Sequence, residues 1–210
     1  MYKVGIDVGS TTAKLVAVDE NDNLLFSKYE RHNAKAKETI LSFLKELLSE
    51  IGDKDISVRI TGSIGMGISE KCSLPFVQEV VAAAKAIQKD YSHVTSMIDI
   101  GGEDAKVVFF KDAEATDLRM NGNCAGGTGA FIDQMAIILG VNIDELNQLA
   151  MNATQVYPIA SRCGVFCKTD IQNLIAKNVS RENIAASIFR AVAVQTVVTL
   201  AHGCDITTPV

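Results

Sequence analysis

Two similar stretches decide the fold of this 210-residue chain: DVGSTTAK, from Asp7 to Lys14, and DIGGEDAK, from Asp99 to Lys106. Each stretch begins at the end of a strand-like apolar run, turns at glycine and leads into a second strand-like run. Glycines let the backbone approach a ligand closely, and successive N–H groups in a tight turn form a concavity that binds anions. The two stretches therefore predict two phosphate loops. The alternative for each is an ordinary β-hairpin turn, in which Gly, Ser and Asp are common.

The side chains of these loops suit a nucleotide with its metal ion. Asp7 and Asp99 stand at strand ends, where ionised carboxylates hold Mg²⁺ through its water shell. Asp104 is a further catalytic candidate that would orient a water or bind Mg²⁺, with a solvated acidic turn as the alternative. The candidates for binding the nucleotide and its metal ion are the remaining glycine, hydroxyl-bearing and charged loop residues: Gly9, Ser10, Thr11, Thr12, Lys14, Gly101, Gly102, Glu103 and Lys106. Among them Glu103 is expected, like Asp104, to orient a water or to bind Mg²⁺ through water.

The apolar pattern around the loops predicts an α/β chain with two similar halves. In the first half this pattern predicts strands at Val4–Asp7, Ala13–Val18, Leu24–Tyr29 and Ser57–Thr61. It predicts helices at Ala36–Ile51, before the last of these strands, and at Pro75–Tyr91, after it. In the second half the pattern predicts strands at Val94–Ile100 and Ala105–Phe110. Four helices are predicted to follow, at Gly127–Leu139, Ile143–Met151, Lys168–Lys177 and Arg181–Ala201. Gly52 is expected to cap the first helix and Ser180 the last, while Gly62–Gly67 is interpreted as a flexible loop. A boundary near residue 93 separates a domain at 1–93 from a domain at 94–210.

Composition restricts the class of protein. Apolar residues make up 48% of the chain, which excludes intrinsic disorder. The chain has 20 Lys and Arg against 25 Asp and Glu, and this acidic balance without a basic cluster disfavours nucleic-acid binding. The most apolar stretch, Ile184–Ala201, contains Arg190 and Gln195, so it predicts a buried helix and no membrane span. The first residues carry no leader pattern, which predicts a cytoplasmic protein.

The five cysteines are too few, and odd in number, for a disulfide scaffold, so they are expected to be thiols or metal ligands. Cys124 lies in a Gly/Asn turn before a predicted helix. Cys163 lies at another predicted helix start, with Cys167 four residues further on. Helix N-termini carry positive partial charge, which stabilises thiolates and anionic clusters. The alternative is that these thiols pack as small apolar side chains.

Both loops and both cysteine segments resemble those of known proteins. The paired loops are similar to the phosphate elements of the actin, hexokinase and sugar-kinase superfamily. The segments MNGNCAGGTGAFIDQMA and SRCGVFCKTDIQ resemble, more specifically, those of the ATP-dependent activators of 2-hydroxyacyl-CoA dehydratases, the BadF/BadG/BcrA/BcrD ATPase family. This resemblance implies a two-domain, actin-like (ribonuclease H-like) α/β ATPase fold that closes over Mg²⁺ and ATP. It adds Gly126, Gly127 and Thr128 as nucleotide-binding candidates.

The resemblance also implies an iron–sulfur cofactor. In the family, cysteines at the positions of Cys124 and Cys163 bind iron. Because two thiolates per chain supply half of what a [4Fe–4S] cluster needs, one cluster is expected on the axis of a homodimer. The implied activity is ATP-driven one-electron transfer to an iron–sulfur acyl-CoA dehydratase or reductase, with a ferredoxin or flavodoxin as upstream donor. Cys167 departs from the family pattern, and it is interpreted as an alternative ligand, a resolving thiol or an incidental residue.

Two other functions stay open from the sequence alone. One is a small-molecule kinase of the same superfamily, of the amino-sugar type, with Asp104 facing the γ-phosphate. The other is a non-catalytic nucleotide-binding fragment of a larger activase. Family members continue past the position of Val210 into a strand and a Gly-Gly turn that helps to hold adenosine. Two alternatives follow for this chain: it is a fragment of a longer polypeptide, with the second domain truncated at its C-terminus, or its adenosine pocket is incomplete.

Overall fold

The computed structural model describes residues 1–112, 114–121, 126–160 and 163–210. The chain forms two compact units, Met1–Ala86 and Ile87–Val210. Each unit contains one of the two predicted phosphate loops and has a sheet of its own. The domain boundary near residue 93 stays a prediction.

The first unit is built on a four-stranded sheet. Its elements follow one another as β1 (Tyr2–Val8), β2 (Thr12–Val18), β3 (Leu24–Arg31), α1 (Ala36–Ile51), β4 (Ile56–Thr61), α2 (Gly65–Cys72) and α3 (Glu79–Asp90), the last of which contains the boundary between the units. The strand order is β3-β2-β1-β4, with β2 antiparallel to both β1 and β3, and with β4 parallel to β1. The predicted three-stranded opening is therefore confirmed. Helix α1 supplies the crossover that the parallel pairing of β1 and β4 requires.

The core of the first unit includes one face of the sheet and one stripe of α1. Successive side chains of a strand point to opposite faces, whereas helical neighbours recur every three or four residues. Alternate residues of β1 and three residues of α1 are accordingly buried together: Val4, Ile6, Val8, Ile40, Phe43 and Leu47. Gly52 caps α1 as predicted, with a φ of 67° that glycine adopts readily. This packing holds the end of β1, and with it the first phosphate loop, in a fixed position.

The second unit combines an antiparallel sheet with helices. Its described elements are β5 (Ser96–Ile100), β6 (Ala105–Lys111), β7 (Glu114–Met120), α4 (Gly129–Ile138), α5 (Ile143–Met151), α6 (Gly164–Ala176) and α7 (Arg181–Thr199). The sheet has the order β5-β6-β7. The four helices share one apolar core: Phe131, Leu146, Ile171, Ile184 and Ile188. The strands β5 and β6 carry the second phosphate loop between them.

Helix α7 begins and packs as the sequence predicts. Ser180 is its N-cap residue, and its side chain accepts a hydrogen bond from the N–H of Asn183 at 3.4 Å. Ile184 and Ile188 on this helix are buried in the helical core. Across the described ranges of the chain, no helix combines the length and the apolar character that crossing a membrane would require.

The helix predicted from Pro75 begins later, at Glu79. The N–H of Ile60 donates to the carbonyl of Pro75 at 3.0 Å, and the N–H of Val77 donates to the carbonyl of Ile60 at 2.8 Å. Phe76 thus forms a parallel bridge with Ile60, which extends the sheet by one short segment. This pairing is non-local, so helical periodicity alone places the start of the helix too early.

Other local predictions are also wrong. The stretch Gly62–Gly67, predicted to be a loop, contains the first turn of α2. The helix predicted from Lys168 begins at Gly164. Strand β7 was not predicted, because most of its side chains are exposed and polar and they hide the alternation that identifies a strand.

Candidate functional site

The register of β1 and β2 pairs Asp7 with Lys14 across the first phosphate loop. Lys14 Nζ lies 2.7 Å from Asp7 Oδ2. The other carboxylate oxygen, Oδ1, is buried and has no hydrogen-bond partner within the described chain. Leaving such an oxygen unsatisfied is costly, so its position favours a cation or one of the cation's water ligands. Asp7 therefore fits the predicted role of holding Mg²⁺ through water.

The turn between these strands contains the predicted hydroxyl-bearing residues. The N–H of Gly9 donates to the carbonyl of Thr12 at 3.0 Å, which closes the turn. Ser10 Oγ and Thr11 Oγ1 lie 3.5 Å apart, and both side chains are partly exposed. The structure thus brings Gly9 to Thr12 into one tight turn, whose hydroxyl groups are accessible to a ligand. Their contact with phosphate stays a prediction.

Gly62 belongs to this site, although the sequence pattern does not indicate its role. Its φ is +92°, and a Cβ atom added to it would lie 2.4 Å from the carbonyl oxygen of Val8 and 2.5 Å from Asp7 Oδ1. The N–H of Ile64 donates to the same Val8 carbonyl at 2.9 Å. The segment before α2 is therefore pressed against the end of β1, directly beside the Asp7 carboxylate. A glycine in a loop-like stretch was the available signal, but its positive φ cannot be identified from the sequence.

Replacing Gly62 with alanine should lower the free energy of unfolding by about 2 to 5 kcal/mol, since backbone strain and overpacking each cost a few kcal/mol. The atoms that the new methyl group meets include backbone atoms of Val8, which cannot rotate away. Urea denaturation measures the change. Gly67→Ala is the matched control, because an added Cβ there meets nothing within 4 Å and Gly67 lies inside α2. A Gly62→Ala protein as stable as Gly67→Ala would contradict this account.

The second loop repeats the carboxylate–lysine pairing with a more buried cation. The side chain of Lys106 is 5% exposed, and its Nζ lies 3.2 Å from Asp104 Oδ2 and 3.7 Å from Asp99 Oδ2. A buried ammonium group needs compensating negative charge. In this structure Asp104 therefore forms an ion pair with Lys106. The role of Asp104 in orienting a water stays a prediction. Glu103 is exposed on the same turn.

The first turn of α4 supports the second loop. The N–H of Gly129 donates to the carbonyl of Gly101 at 2.8 Å, and the N–H of Ala130 donates to the carbonyl of Gly102 at 3.0 Å. N–H groups at a helix N-terminus are able to bind phosphate, but these two N–H groups donate to carbonyl oxygens of the protein. Thr128, the N-cap residue of α4, is fully buried. The predicted residues around Thr128 and the second loop therefore lie together.

Cys163 lies where a helix start favours an anionic ligand. It is the N-cap residue of α6 and is partly buried. One crevice is lined by Cys163 and Gly164 together with Gly126 and Gly127, so the chain two residues beyond Cys124 lies against Cys163. Cys124 itself lies outside the described residues. Within those that are described, no group of three or more His, Cys, Asp or Glu side chains is arranged to hold a metal ion.

Cys167 belongs to the helical core. Its side chain is 1% exposed, and it packs with the buried residues of α4, α5 and α7. Burial raises the pKa of the Cys167 thiol to about 11, with the charges of Asp170 and Cys163 as smaller contributions. A thiol that is buried among apolar side chains, with its pKa raised by that burial, is a poor iron ligand and a poor nucleophile. Of the three interpretations of Cys167, the structure supports an incidental residue that packs in the core.

The raised pKa of Cys167 should make stability fall with pH between 9 and about 11. The thiol of the unfolded chain loses its proton first, so the unfolded state binds fewer protons in this range and becomes favoured. The free energy of unfolding should drop by up to about 2 to 3 kcal/mol from this group. Urea midpoints across the range, compared with those of Cys167→Ala, isolate the contribution. A variant with the same pH dependence as the unchanged protein would contradict the assignment.

The fold, with a carboxylate–lysine pair at each glycine turn, is that of an actin-like ATPase, because the chain matches this class in both family and structure. Residues 4–208 match the BadF/BadG/BcrA/BcrD ATPase family, and the chain belongs to that family. It is 29% identical over 195 residues to the (R)-2-hydroxyglutaryl-CoA dehydratase activating ATPase of Acidaminococcus fermentans, covering 92% of this chain and 75% of that protein. It is 31% identical over 206 residues to the 2-hydroxyisocaproyl-CoA dehydratase activator of Clostridioides difficile, covering 92% of this chain and 73% of that protein.

Solved structures of two such proteins share the fold. The crystal structure of Acidaminococcus fermentans (R)-2-hydroxyglutaryl-CoA dehydratase component A matches with a TM-score of 0.88 and 29% identity, over 99% of this chain and 80% of that one. The activator of the 2-hydroxyisocaproyl-CoA dehydratase from Clostridium difficile with bound ADPNP matches with a TM-score of 0.87 and 28% identity, over 100% of this chain and 78% of that one. The predicted actin-like α/β ATPase fold is confirmed.

Proposed function

We propose that this protein is an ATP-hydrolysing iron–sulfur electron donor that activates a partner acyl-CoA dehydratase or reductase. Relatives named as an ATPase that activates a dehydratase, or as activators of dehydratases, support this proposal. The observation that carries the ATPase part is the buried, unpartnered Oδ1 of Asp7 beside a glycine turn. The observation that carries the electron-transfer part is the crevice in which Cys163 meets the chain just beyond Cys124.

In this proposal, Cys124 and Cys163 hold a [4Fe–4S] cluster, which when bound supplies one-electron chemistry. Cys163 suits this role because it is only partly buried and stands at the start of a 13-residue helix, whose positive end favours an anionic group. Cys167, on the same helix, is buried among apolar side chains and does not compete for iron. The ligand set is therefore two cysteines per chain.

Two thiolates per chain require a second copy of the chain to complete four ligands. Val165 and Phe166, which follow Cys163 in α6, are 72% and 66% exposed. Large apolar side chains at such exposure favour a surface that a partner covers. A two-fold homodimer would place these residues of each chain, and both cysteine pairs, at one interface. The proposed ligand count and the exposed apolar side chains thus support a homodimer.

The residues of the two loops would have different roles in ATP hydrolysis. Asp7 would hold Mg²⁺ through water, which neutralises phosphate charge. Lys14, which pairs with Asp7 at 2.7 Å in this structure, would exchange this carboxylate for a phosphate oxygen. Backbone N–H groups of both glycine turns would stabilise the charge that develops on the transferred phosphoryl group. No side chain has to act as a covalent nucleophile.

Activation of a dehydratase tests the proposal. Reduced protein, supplied with electrons by a ferredoxin or flavodoxin in place of a chemical reductant, should activate 2-hydroxyglutaryl-, 2-hydroxyisocaproyl- or lactoyl-CoA dehydratase only when Mg²⁺ and ATP are present. The imido analogue of ATP should not sustain this activation, because hydrolysis is needed. Activation that is equal without ATP, or phosphorylation of an added amino sugar in its place, would contradict the proposal. A cytoplasmic location stays a prediction.

A further inference from the structure

His32 lies directly beneath the first phosphate loop. It follows the last residue of β3 and is 4% exposed. Its ring atom Nε2 lies 3.0 Å from the carbonyl oxygen of Gly9, and its backbone N–H donates to the carbonyl of Thr11 at 3.2 Å. A carbonyl oxygen only accepts hydrogen bonds, so Nε2 carries the proton. The other ring nitrogen, Nδ1, is buried and makes no hydrogen bond within the described chain, so the Gly9 contact is what orients the ring.

These two hydrogen bonds fix the direction of two peptide units in the loop. The N–H and C=O of a trans peptide point in opposite directions. When His32 holds the carbonyls of Gly9 and Thr11 inward, the N–H groups of Ser10 and Thr12 point outward. Outward N–H groups in a tight turn are the donors that bind an anion. His32 thereby orients donors of the loop although it does not itself reach the ligand side.

The second loop uses a different group for the same purpose. There the first turn of α4 holds two consecutive carbonyls, those of Gly101 and Gly102, with N–H···O distances of 2.8 and 3.0 Å. By the same peptide geometry, the N–H groups of Gly102 and Glu103 point away from α4. In the first loop the donors to the carbonyls of Gly9 and Thr11 come from His32, and no helix N-terminus among the described residues donates to them. Two loops of similar sequence are thus held by unlike partners.

We infer that His32 is a positioning residue for ATP binding, which aims the donors of the Gly9–Thr12 turn at phosphate through its Nε2–H···O=C bond to Gly9. This inference rests on the proposed ATPase function. The residue acts through the loop backbone and not by contact with the nucleotide. It also explains why a histidine directly after a strand is buried.

Two variants of nearly equal shape separate positioning from packing. Methionine fills the space of the ring without a donor, whereas glutamine fills it with an N–H group in a place similar to Nε2. His32→Met should weaken binding of the imido analogue of ATP by about 3- to 10-fold, the effect of one lost hydrogen bond. His32→Gln should bind close to the unchanged protein, and His93→Met, at an exposed histidine, should not differ from it. Titration calorimetry in the presence of Mg²⁺ measures the affinities, and circular dichroism verifies that each variant is folded.

A folded His32→Met protein that binds as tightly as the unchanged protein, or a His32→Gln protein as weak as His32→Met, would overturn the inference. Hydrogen exchange of the nucleotide-free protein distinguishes its failure from failure of the ATPase proposal. The amides of residues 9 to 12 should exchange faster in His32→Met than in His32→Gln, whether or not the protein binds ATP. Equal exchange in the two variants would overturn the positioning role, and absence of binding by the unchanged protein would overturn the ATPase proposal alone.

Discussion

Replacing Cys163 with serine should remove nearly all iron from protein purified or reconstituted without oxygen, while the fold is retained. Cys163 is a partly buried N-cap residue, and serine is among the residues that most favour this position, so α6 should form normally. A hydroxyl group does not ionise near neutral pH and is a far weaker ligand for cluster iron than a thiolate. Iron per chain, measured beside a circular dichroism spectrum, reports both outcomes.

The matched control for this substitution is Cys72→Ser. Cys72 is an exposed thiol at the end of α2, in the other compact unit of the chain. The Cys72→Ser protein should have the same iron content as the unchanged protein. A Cys163→Ser protein with full iron content would remove Cys163 from the ligand set. An unfolded Cys163→Ser protein would contradict the view that this residue is a ligand without a role in the core.

Replacing Asp7 with asparagine should lower kcat for ATP hydrolysis by about 100-fold or more, as expected when a charged group that stabilises the transition state is lost. The amide keeps the shape of the carboxylate, so the contacts with Gly62 are retained. It removes the negative charge that pairs with Lys14 and that is proposed to hold Mg²⁺. Phosphate release at saturating Mg·ATP gives kcat. Because the loss is one of charge, the folded structure should persist.

Asp53→Asn is the control for Asp7→Asn. Asp53 is an exposed carboxylate in the same compact unit, and its replacement changes the net charge equally. Its turnover should match that of the unchanged protein. An Asp7→Asn protein with unchanged kcat would show that Asp7 is only a structural partner of Lys14 and would remove the metal-binding role from it.

The elements beside the loops could be predicted because their signals are local. The apolar alternation of β1 is visible in the sequence, since Val4, Ile6 and Val8 are buried and the residues between them are not. The stripe of α1 and the glycine that ends it are likewise local. Asp7 and Lys14 were candidates because of the loop pattern alone. Their pairing follows from the register of β1 with β2.

The parts that could not be predicted depend on contacts between distant residues. Helix α3 starts late because Phe76 pairs with Ile60 in the sheet. Gly62 and His32 act on the first loop from positions far along the chain, and nothing in their sequence neighbourhood indicates the contact. The position of Cys167 in the sequence is compatible with an alternative ligand, a resolving thiol or an incidental residue. Only the burial of Cys167 in the helical core distinguishes between these interpretations. Sequence patterns therefore predicted the loops themselves but not the residues that hold them.

The content of iron and acid-labile sulfide per chain, together with the mass in solution, should be measured on protein kept free of oxygen. About two irons and two sulfides per chain are expected in a homodimer, since one four-iron cluster would be shared by two chains. A monomer that contains no iron and cannot be reconstituted would contradict the proposed function, because neither Cys163 nor Cys124 would then have a cluster to hold.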